Sequence, residues 1–381
     1  MKTDIAIIGG GLAGLATACG LEAAGRDYRL IEQRQLPVAE GMGIVLHPSG
    51  LHALHQLGID YRHLDGYIPL SEMVFGTPGN PYIAAQEMGY EGYPVASTLR
   101  ATLHQLLYRH VNKQYCLPER QLITATRHSE NETHLALSSG EVVRARNVLF
   151  SDGIHGFEAT AENNKATTQG VWRWLIDGVL DQERAYEIHN GKFRLGIFPV
   201  SQSCSYIFLT SQPCAFARES KYRNEDIQQI LHRFGKPGAF VRNGINADTK
   251  VRFDQISENA VRWTNDSGFL QIGDAAHAVT PNLGMGASLA FEDAAVLVQL
   301  VQSNPPPTLT RELIHSYIKR RHKRVRAIKS YSKMFGVFAH LPGQRLNYAK
   351  ITGLKYLSQI PLVSNGDAIY KQYFKDMPKQ E

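Results

Sequence analysis

Cysteine is scarce and unpatterned in this chain. Cys19, Cys116, Cys204 and Cys214 include no CxxC pair, so neither a zinc site nor a dithiol redox motif is supported. With no disulfide framework, a reducing, cytoplasmic setting is expected. Long apolar runs are also missing. Ile5-Ala6-Ile7-Ile8 meets glycine at once and is too short for the core of a secretion signal. No stretch approaches the ~20 apolar residues that a spanning helix needs. Basic residues form no stripe interleaved with aromatics, which argues against nucleic acid as a partner. The densest run, Lys319-Arg320-Arg321-His322-Lys323-Arg324, reads as a solvated helix face. Internal repeats and low-complexity tracts are absent.

What is present describes a globular protein. The 381 residues are 43% hydrophobic and 20% charged, enough for two or three domains with large cores. A net charge of +6 suits anionic ligands and would also suit an anionic membrane surface.

The first thirty residues organise the rest. The apolar run Ile5 to Ile8 leads into Gly9-Gly10-Gly11-Leu12-Ala13-Gly14, a helical stretch follows from Leu15 to Ala24, and a second apolar run, Tyr28 to Ile31, ends at Glu32. This is strand, glycine turn, helix, strand, acid. Gly9 permits the tight turn, Gly11 lets backbone approach a pyrophosphate, and Gly14 lets the helix pack closely. The helix N-terminus, with Leu12 and Ala13, offers free N–H groups to phosphate. Glu32 is spaced to hold a ribose hydroxyl. The competing reading is a glycine-rich turn in some other α/β protein.

Further along, Gly41-Met42-Gly43-Ile44 opens a strand that another group can approach closely. Ser49 is expected to cap a short helix closed by Gly58. Residues 71 to 93 read as a hairpin around Thr77-Pro78-Gly79-Asn80-Pro81. Arg100 lies in the first turn of a helix carrying Leu103, Leu106 and Leu107. A cation there opposes the helix dipole and makes sense beside an anion. Val142-Val143 and Val148-Leu149-Phe150 read as two strands, the second running into Ser151-Asp152-Gly153. Residues 169 to 212 are aromatic and strand-like, and 224 to 234 helical. Asn304-Pro305-Pro306-Pro307 reads as a linker. A long helix is expected from Arg311 to about Val337, then a break at Leu341-Pro342-Gly343 and an amphipathic stretch near 349 to 359.

Gly273-Asp274-Ala275-Ala276-His277-Ala278-Val279-Thr280-Pro281-Asn282-Leu283-Gly284-Met285-Gly286 is the second signature. A strand ends at an acid, a loop passes a proline, and glycines open another helix. Asp274 can accept hydrogen bonds from a polyol. Gly284 to Gly286 supply backbone donors that stabilise negative charge.

Together these stretches resemble the single-component FAD-dependent aromatic hydroxylases, the family of para-hydroxybenzoate and salicylate hydroxylases. The resemblance extends to about residue 330. It implies an α/β fold: a discontinuous Rossmann-like FAD-binding domain (1–70, 95–170 and 265–303), a β-sheet substrate domain (71–94 and 171–264) and a C-terminal helical region (304–381). It also implies FAD as cofactor, NADPH or NADH as co-substrate, and hydroxylation of a small aromatic or heteroaromatic substrate by O2 through a flavin C4a-hydroperoxide. A monomer or homodimer is expected, and membrane association is left open. By the same resemblance Arg100 contacts the FAD diphosphate, Asp274 the diphosphate or ribityl chain, and Met42 and Gly43 lie beside the isoalloxazine. Arg34 sits near the adenosine half, Arg127 borders the adenine, and Pro281 packs over the substrate.

Two departures stand out. The family pattern ADGxxSxxR becomes Ser151-Asp152-Gly153-Ile154-His155-Gly156-Phe157-Glu158-Ala159, and Met285 replaces the usual glutamine. No dedicated acid or base is evident. His47, Trp172, Arg173, Phe198, Tyr206 and Phe208 are candidates for the substrate pocket, each with a plain structural alternative. His277 and His155 are read as a structural and a surface-loop histidine. Trp172-Arg173-Trp174-Leu175-Ile176 also echoes a halogenase motif, though Asp177 follows where that motif has proline. A halogenase or reductase relative, or a non-catalytic FAD-binding protein, remains an alternative.

Overall fold

The computed structural model describes residues 1–38, 41–157, 164–303, 309–341, 343–357 and 367–377. The nucleus is β1 (Lys2–Ile8), α1 (Leu12–Ala23) and β2 (Tyr28–Ile31). β1 lies parallel to β2 on one side and to β11 (Val142–Phe150) on the other. The sheet continues through β8 (Cys116–Leu117) beyond β2, and through β10 (Glu132–Leu137) and β9 (Leu122–Ser129) beyond β11, with β17 (Leu270–Gln271) also parallel to β11. Ile5 to Ile8 are buried because both faces of β1 are covered, which is why the run is continuous rather than alternating. α1 and α8 (Gly286–Ser303) cover one face. Gly20 is where they meet, since a Cβ there would lie 2.8 Å from Val298.

A second sheet runs β16-β12-β15-β14-β13-β5-β6, formed by β5 (Glu72–Thr77), β6 (Asn80–Glu87), β12 (Asn164–Asp177), β13 (Arg184–Asn190), β14 (Phe193–Pro199), β15 (Cys204–Ser211) and β16 (Arg252–Asn259). Strand alternation divides its side chains. Trp172, Trp174, Ile207 and Leu209 face outward under a cover of α5 (Asn224–Leu231) and α6 (Gly235–Asn243). Arg173, opposite Phe208, and Tyr206, opposite Phe198, point the other way. A small sheet of β3 (Gly43–Leu46), β7 (Val95–Leu99) and β4 (Ile68–Leu70) links the two large ones. The hairpin expected at 71 to 93 is β5 and β6.

The tail packs as α9 (Arg311–Ala339), α10 (Gln344–Leu357) and α11 (Asp367–Asp376). Within the basic run, Lys319, Arg320 and Lys323 are exposed, but Arg321 and Arg324 are buried. Arg321 donates to Asp293 at 2.7 Å and Glu292 at 2.8 Å, and Arg324 donates to Glu292 at 2.9 Å. Burial would push both carboxyls up, yet these guanidiniums, with His277 beside Asp293, hold Glu292 and Asp293 down at about 2.

Other expectations also change. The two strands expected at 142 to 150 are one, because Arg144 and Arg146 take its solvent-facing positions. α2 (Pro48–Gln56) starts two residues early. His47 occupies its cap position, and Ser49 lies in the first turn as an acceptor for Arg324. The segment 224 to 234 is α5 followed by a single 3-10 turn. Ala159, the 304–307 linker, Pro342 and the end of the 349–359 stretch fall outside the described residues.

Candidate functional site

Two helix N-termini, α1 at Leu12 and α8 at Gly286, open onto one groove of about 670 Å3. The turn from β1 is shaped by glycine. Gly9 has φ +102, and a Cβ on it would lie 2.7 Å from Asp152 Cα. A Cβ on Gly14 would overlap the Gly9 carbonyl oxygen, so α1 sits directly against its own entry turn. Gly11 and Gly286 differ. Nothing lies within 4 Å of a Cβ built on either, and neither has a positive φ. Packing does not demand glycine there. The open backbone leaves room for a group to seat against it.

Glu32 lines the groove. Its Oε2 accepts from Gly10 N at 2.6 Å and its Oε1 from Arg34 N at 2.9 Å. Each oxygen keeps a lone pair for a hydroxyl. His104, one turn into α3 (Arg100–Arg109), was not singled out in the sequence. Its Nε2 faces Gly10 O at 2.8 Å and its Nδ1 faces Val38 N at 3.3 Å. A carbonyl can only accept and an amide can only donate, so the ring is neutral with the proton on Nε2. Burial lowers its pKa accordingly.

Arg100 begins α3 and lines the groove, its backbone N donating to Met42 O at 2.9 Å. Burial, and then the field of Arg34, lower its pKa, with Arg173 and Arg252 adding to the effect and Asp274 opposing it. No ion pair among the described residues involves Arg100. Arg34, Arg173 and Arg252 thus add positive field at Arg100, with Asp274 as the opposing carboxyl. Asp274 opens α7 (Asp274–His277) and is exposed to the groove, while the protein mass around it raises its carboxyl above the ordinary range. Ser151, Asp152, Gly153 and His155 complete the wall. Asp152 accepts from Phe157 N at 2.7 Å, and a Cβ on Gly156 would overlap its carboxylate. The glycine that replaces the family serine thus makes room for Asp152.

Several expected residues lie elsewhere. Arg127 is not among the groove's lining residues. It stands on β9 with its guanidinium 4.8 Å from the Phe269 ring, and Arg120, just before that strand, lines the groove instead. Met285 is buried in the core beneath the start of α8. Gly284 adopts φ +66, and Gly43 lies against Tyr206, whose Cβ a side chain at 43 would overlap. Trp172 is 1% exposed, stacked on Tyr222 on the outward face of its sheet. It cannot reach the side shared by Tyr206 and Phe208. Arg173 does face that side, paired with Asp254 at 2.5 Å.

His47 is also inside the protein. Its Nε2 faces Leu283 O at 2.8 Å and its Nδ1 faces the Tyr370 hydroxyl at 2.6 Å. Burial lowers its pKa to about 4. His277 is structural, 2.6 Å from Asp293, which also accepts from Gly273 N. Pro281 is exposed on the turn before α8, and the adjacent Asn282 anchors that turn by accepting from Gln169 Nε2 at 2.9 Å and Arg194 Nη2 at 3.3 Å. No local pattern announces Asn282, Arg194 or Tyr370, because their partners are distant in sequence.

A parallel sheet with two helix N-termini and a strand-end acid around one groove defines a dinucleotide-binding flavoprotein fold. The family model for the FAD binding domain matches residues 2–332, and the chain belongs to that family. YetM of Bacillus subtilis (strain 168), provisionally named an FAD-dependent monooxygenase, is 27% identical over 343 residues, which are 86% of this chain and 91% of that protein. The FAD-dependent monooxygenase penM of Penicillium crustosum is 25% identical, over 86% and 77% of the two chains. Among solved structures, HpxO of Klebsiella pneumoniae in complex with FAD and uric acid superposes with a TM-score of 0.82 at 18% identity, covering 96% of each chain. PqsL of P. aeruginosa with 2-aminobenzoylacetate gives 0.77 at 19%, covering 93% of this chain and all of that one.

Proposed function

We propose that the protein is an FAD-dependent monooxygenase that hydroxylates a small aromatic or heteroaromatic ring. Ring C–H, O2, NAD(P)H and a proton give ring C–OH, water and NAD(P)+. The observation that carries this reading is the shared groove, with Gly11 and Gly286 left open and Glu32, Arg100 and Asp274 on its wall. The relatives named as FAD-dependent monooxygenases support the activity.

Bound FAD supplies the redox chemistry and the activation of O2. The chain supplies position and electrostatics. Backbone N–H groups at Leu12 and Ala13 and the Arg100 guanidinium hold the diphosphate, Glu32 holds a ribose hydroxyl, and Arg34 lies near the adenosine half. Backbone donors at Gly284 to Gly286 stabilise negative charge on the flavin ring. Met42 and Gly43 bring β3 beside that ring. Tyr206, Phe208 and Phe198 form an aromatic wall next to Gly43, continuous with Ile68, Leu70 and Val95, which excludes water. His47 is committed to Leu283 and Tyr370 and serves no proton transfer. The burial of Trp172 and Trp174 in the outer core counts against the halogenase alternative.

The same reading keeps the division into a discontinuous FAD-binding domain, a sheet domain for substrate and a helical tail. It places NAD(P)H transiently in a groove, since the sequence has a single dinucleotide fingerprint. The reading keeps a cytoplasmic enzyme, monomeric or homodimeric, and its four free cysteines suit a reducing compartment. The test is NAD(P)H oxidation and product mass with FAD-loaded protein and 18O2 across a panel of phenols and heteroaromatics. Ring products carrying 18O are expected. NAD(P)H consumption yielding only hydrogen peroxide across the panel would sink the reading.

A further inference from the structure

Charge is distributed unevenly along this chain. From Leu313 to Gly366 there are 11 Lys and Arg and no Asp or Glu, although the whole chain is only +6. The remainder is therefore net acidic, and such asymmetry is a physical signal in its own right. Part of the excess is used internally. Arg321 and Arg324 pair with Glu292 and Asp293, and Lys350 donates to the carbonyls of Phe338 and Ala339. Lys329 donates to Asn259 O and Ala278 O. Lys319, Arg320, Lys323, Arg326, Lys333 and Arg345 remain exposed. Arg320 also reaches Gln299, and Glu258 on β16 is the acid that faces Lys329 and Lys333.

The exposed side of α9 has an order to it. Lys319, Lys323, Arg326, Ser330, Met334 and Val337 recur at helical spacing, so they share one outward line. Its first half is cationic. Its second half is apolar, with Met334 65% and Val337 55% exposed. α10, whose Lys350 reaches the end of α9, also exposes Leu346, Tyr348 and Tyr356, at 47%, 53% and 64%. The two helices are held together, because the Lys350 ammonium caps the end of α9, and Phe335 and Ile351 join one cluster with Phe75 and Ala84. Six of the 13 large hydrophobics exposed among the described residues, Tyr331 included, lie on this one helical pair. The family match ends at residue 332, before most of this apolar end.

We propose that the outward face of α9 docks on an anionic phospholipid surface, with the cations against headgroups and Met334 and Val337 in the interfacial layer, beside the exposed apolar side chains of α10. Charge complementarity selects the occupant. Cations alone would suit any polyanion, but exposed aliphatics beside them match acyl chains and not a phosphodiester backbone. Tyrosines favour the level of the headgroups. No helix among the described residues is long and apolar enough to cross a membrane, so the attachment is peripheral. The inference is independent of the reaction catalysed.

The experiment is co-sedimentation of the full-length, FAD-loaded protein with vesicles of phosphatidylcholine alone or mixed with phosphatidylglycerol, at low and high salt. Binding is expected only to the mixed vesicles and is lost in high salt. Each exposed cation contributes about fivefold, so K323Q/R326Q weakens binding by roughly 25-fold. M334S/V337S also weakens it but leaves its salt dependence intact. The yellow flavin spectrum of both variants reports that they are folded. Absence of binding to the anionic vesicles overturns the proposal, as does binding that both variants retain in full. Preferential binding of RNA or DNA by the same cations also overturns it. So does a dimer that M334S/V337S dissociates, since the apolar end would then be covered by a second copy.

Discussion

Replacing Arg100 by Met separates cofactor binding from folding. The residue lines the groove beside Asp274 and has no ion pair among the described residues. Burial and the like charges of Arg34, Arg173 and Arg252 disfavour its charged form. Before FAD arrives, the cation is held at a cost. If the diphosphate seats as proposed, Arg100 would donate charge-assisted hydrogen bonds to it worth about 1.5–3 kcal/mol. Arg100→Met keeps the apolar stem and the backbone bond to Met42. FAD affinity should fall about 10- to 150-fold, while the apoprotein melts at the same or a slightly higher temperature. Quenching of flavin fluorescence on stripped protein measures the first quantity and thermal unfolding of the same apoprotein the second. The wild type should also lose affinity more steeply with salt than the variant. An affinity within about threefold of wild type, or an apoprotein weakened by more than about 1 kcal/mol, would show that Arg100 supports the fold and not the diphosphate.

Other substitutions have equally definite outcomes. Gly11→Ala leaves apoprotein stability unchanged, because its Cβ meets nothing, but blocks FAD, whereas Gly14→Ala unfolds the β1–α1 turn itself; thermal melts with and without FAD distinguish the two. Asp293→Asn strips a charge from buried Arg321 and weakens the acceptor for Gly273 N, costing about 3 kcal/mol, at the low end because Glu292 still holds Arg321; urea unfolding measures it. His47 is a base held neutral, with a folded pKa near 4 against an unfolded value near 6.5. Its stabilising effect is complete above pH 6.5 and drains away as pH falls toward 4, by up to about 3 kcal/mol. The acid limb of the stability curve should therefore flatten in His47→Gln; an unchanged limb would show that other groups set it.

The parts of the groove that proved legible are those in which chemistry and chain position coincide. Gly9, Gly11, Gly14 and Glu32 belong to one short strand–turn–helix–strand unit, so their spacing alone brings them together. Asp274 and Gly286 were legible for the same reason, each at a strand end or helix start with a local signature. Arg100 stood out because a cation in a first helical turn is locally unfavourable. Arg127 was put at the adenine by resemblance alone, with no local signature behind it, and its guanidinium lies over the Phe269 ring. Trp172 was misassigned because a period of two says which residues share a face but not which face meets the groove.

Sequence by itself therefore determined the dinucleotide unit, the second glycine-opened helix and the alternation of the second sheet, since each follows from backbone rules acting within about twenty residues. Tertiary structure decided everything that depends on which distant surfaces meet. His47 and Tyr370, 323 residues apart, close on each other, Gln169 and Arg194 converge on Asn282, and two arginines of an apparently solvated run disappear beneath α8. Such partnerships arise because buried polar groups must find hydrogen-bond partners wherever packing places them, and no local periodicity records where that will be.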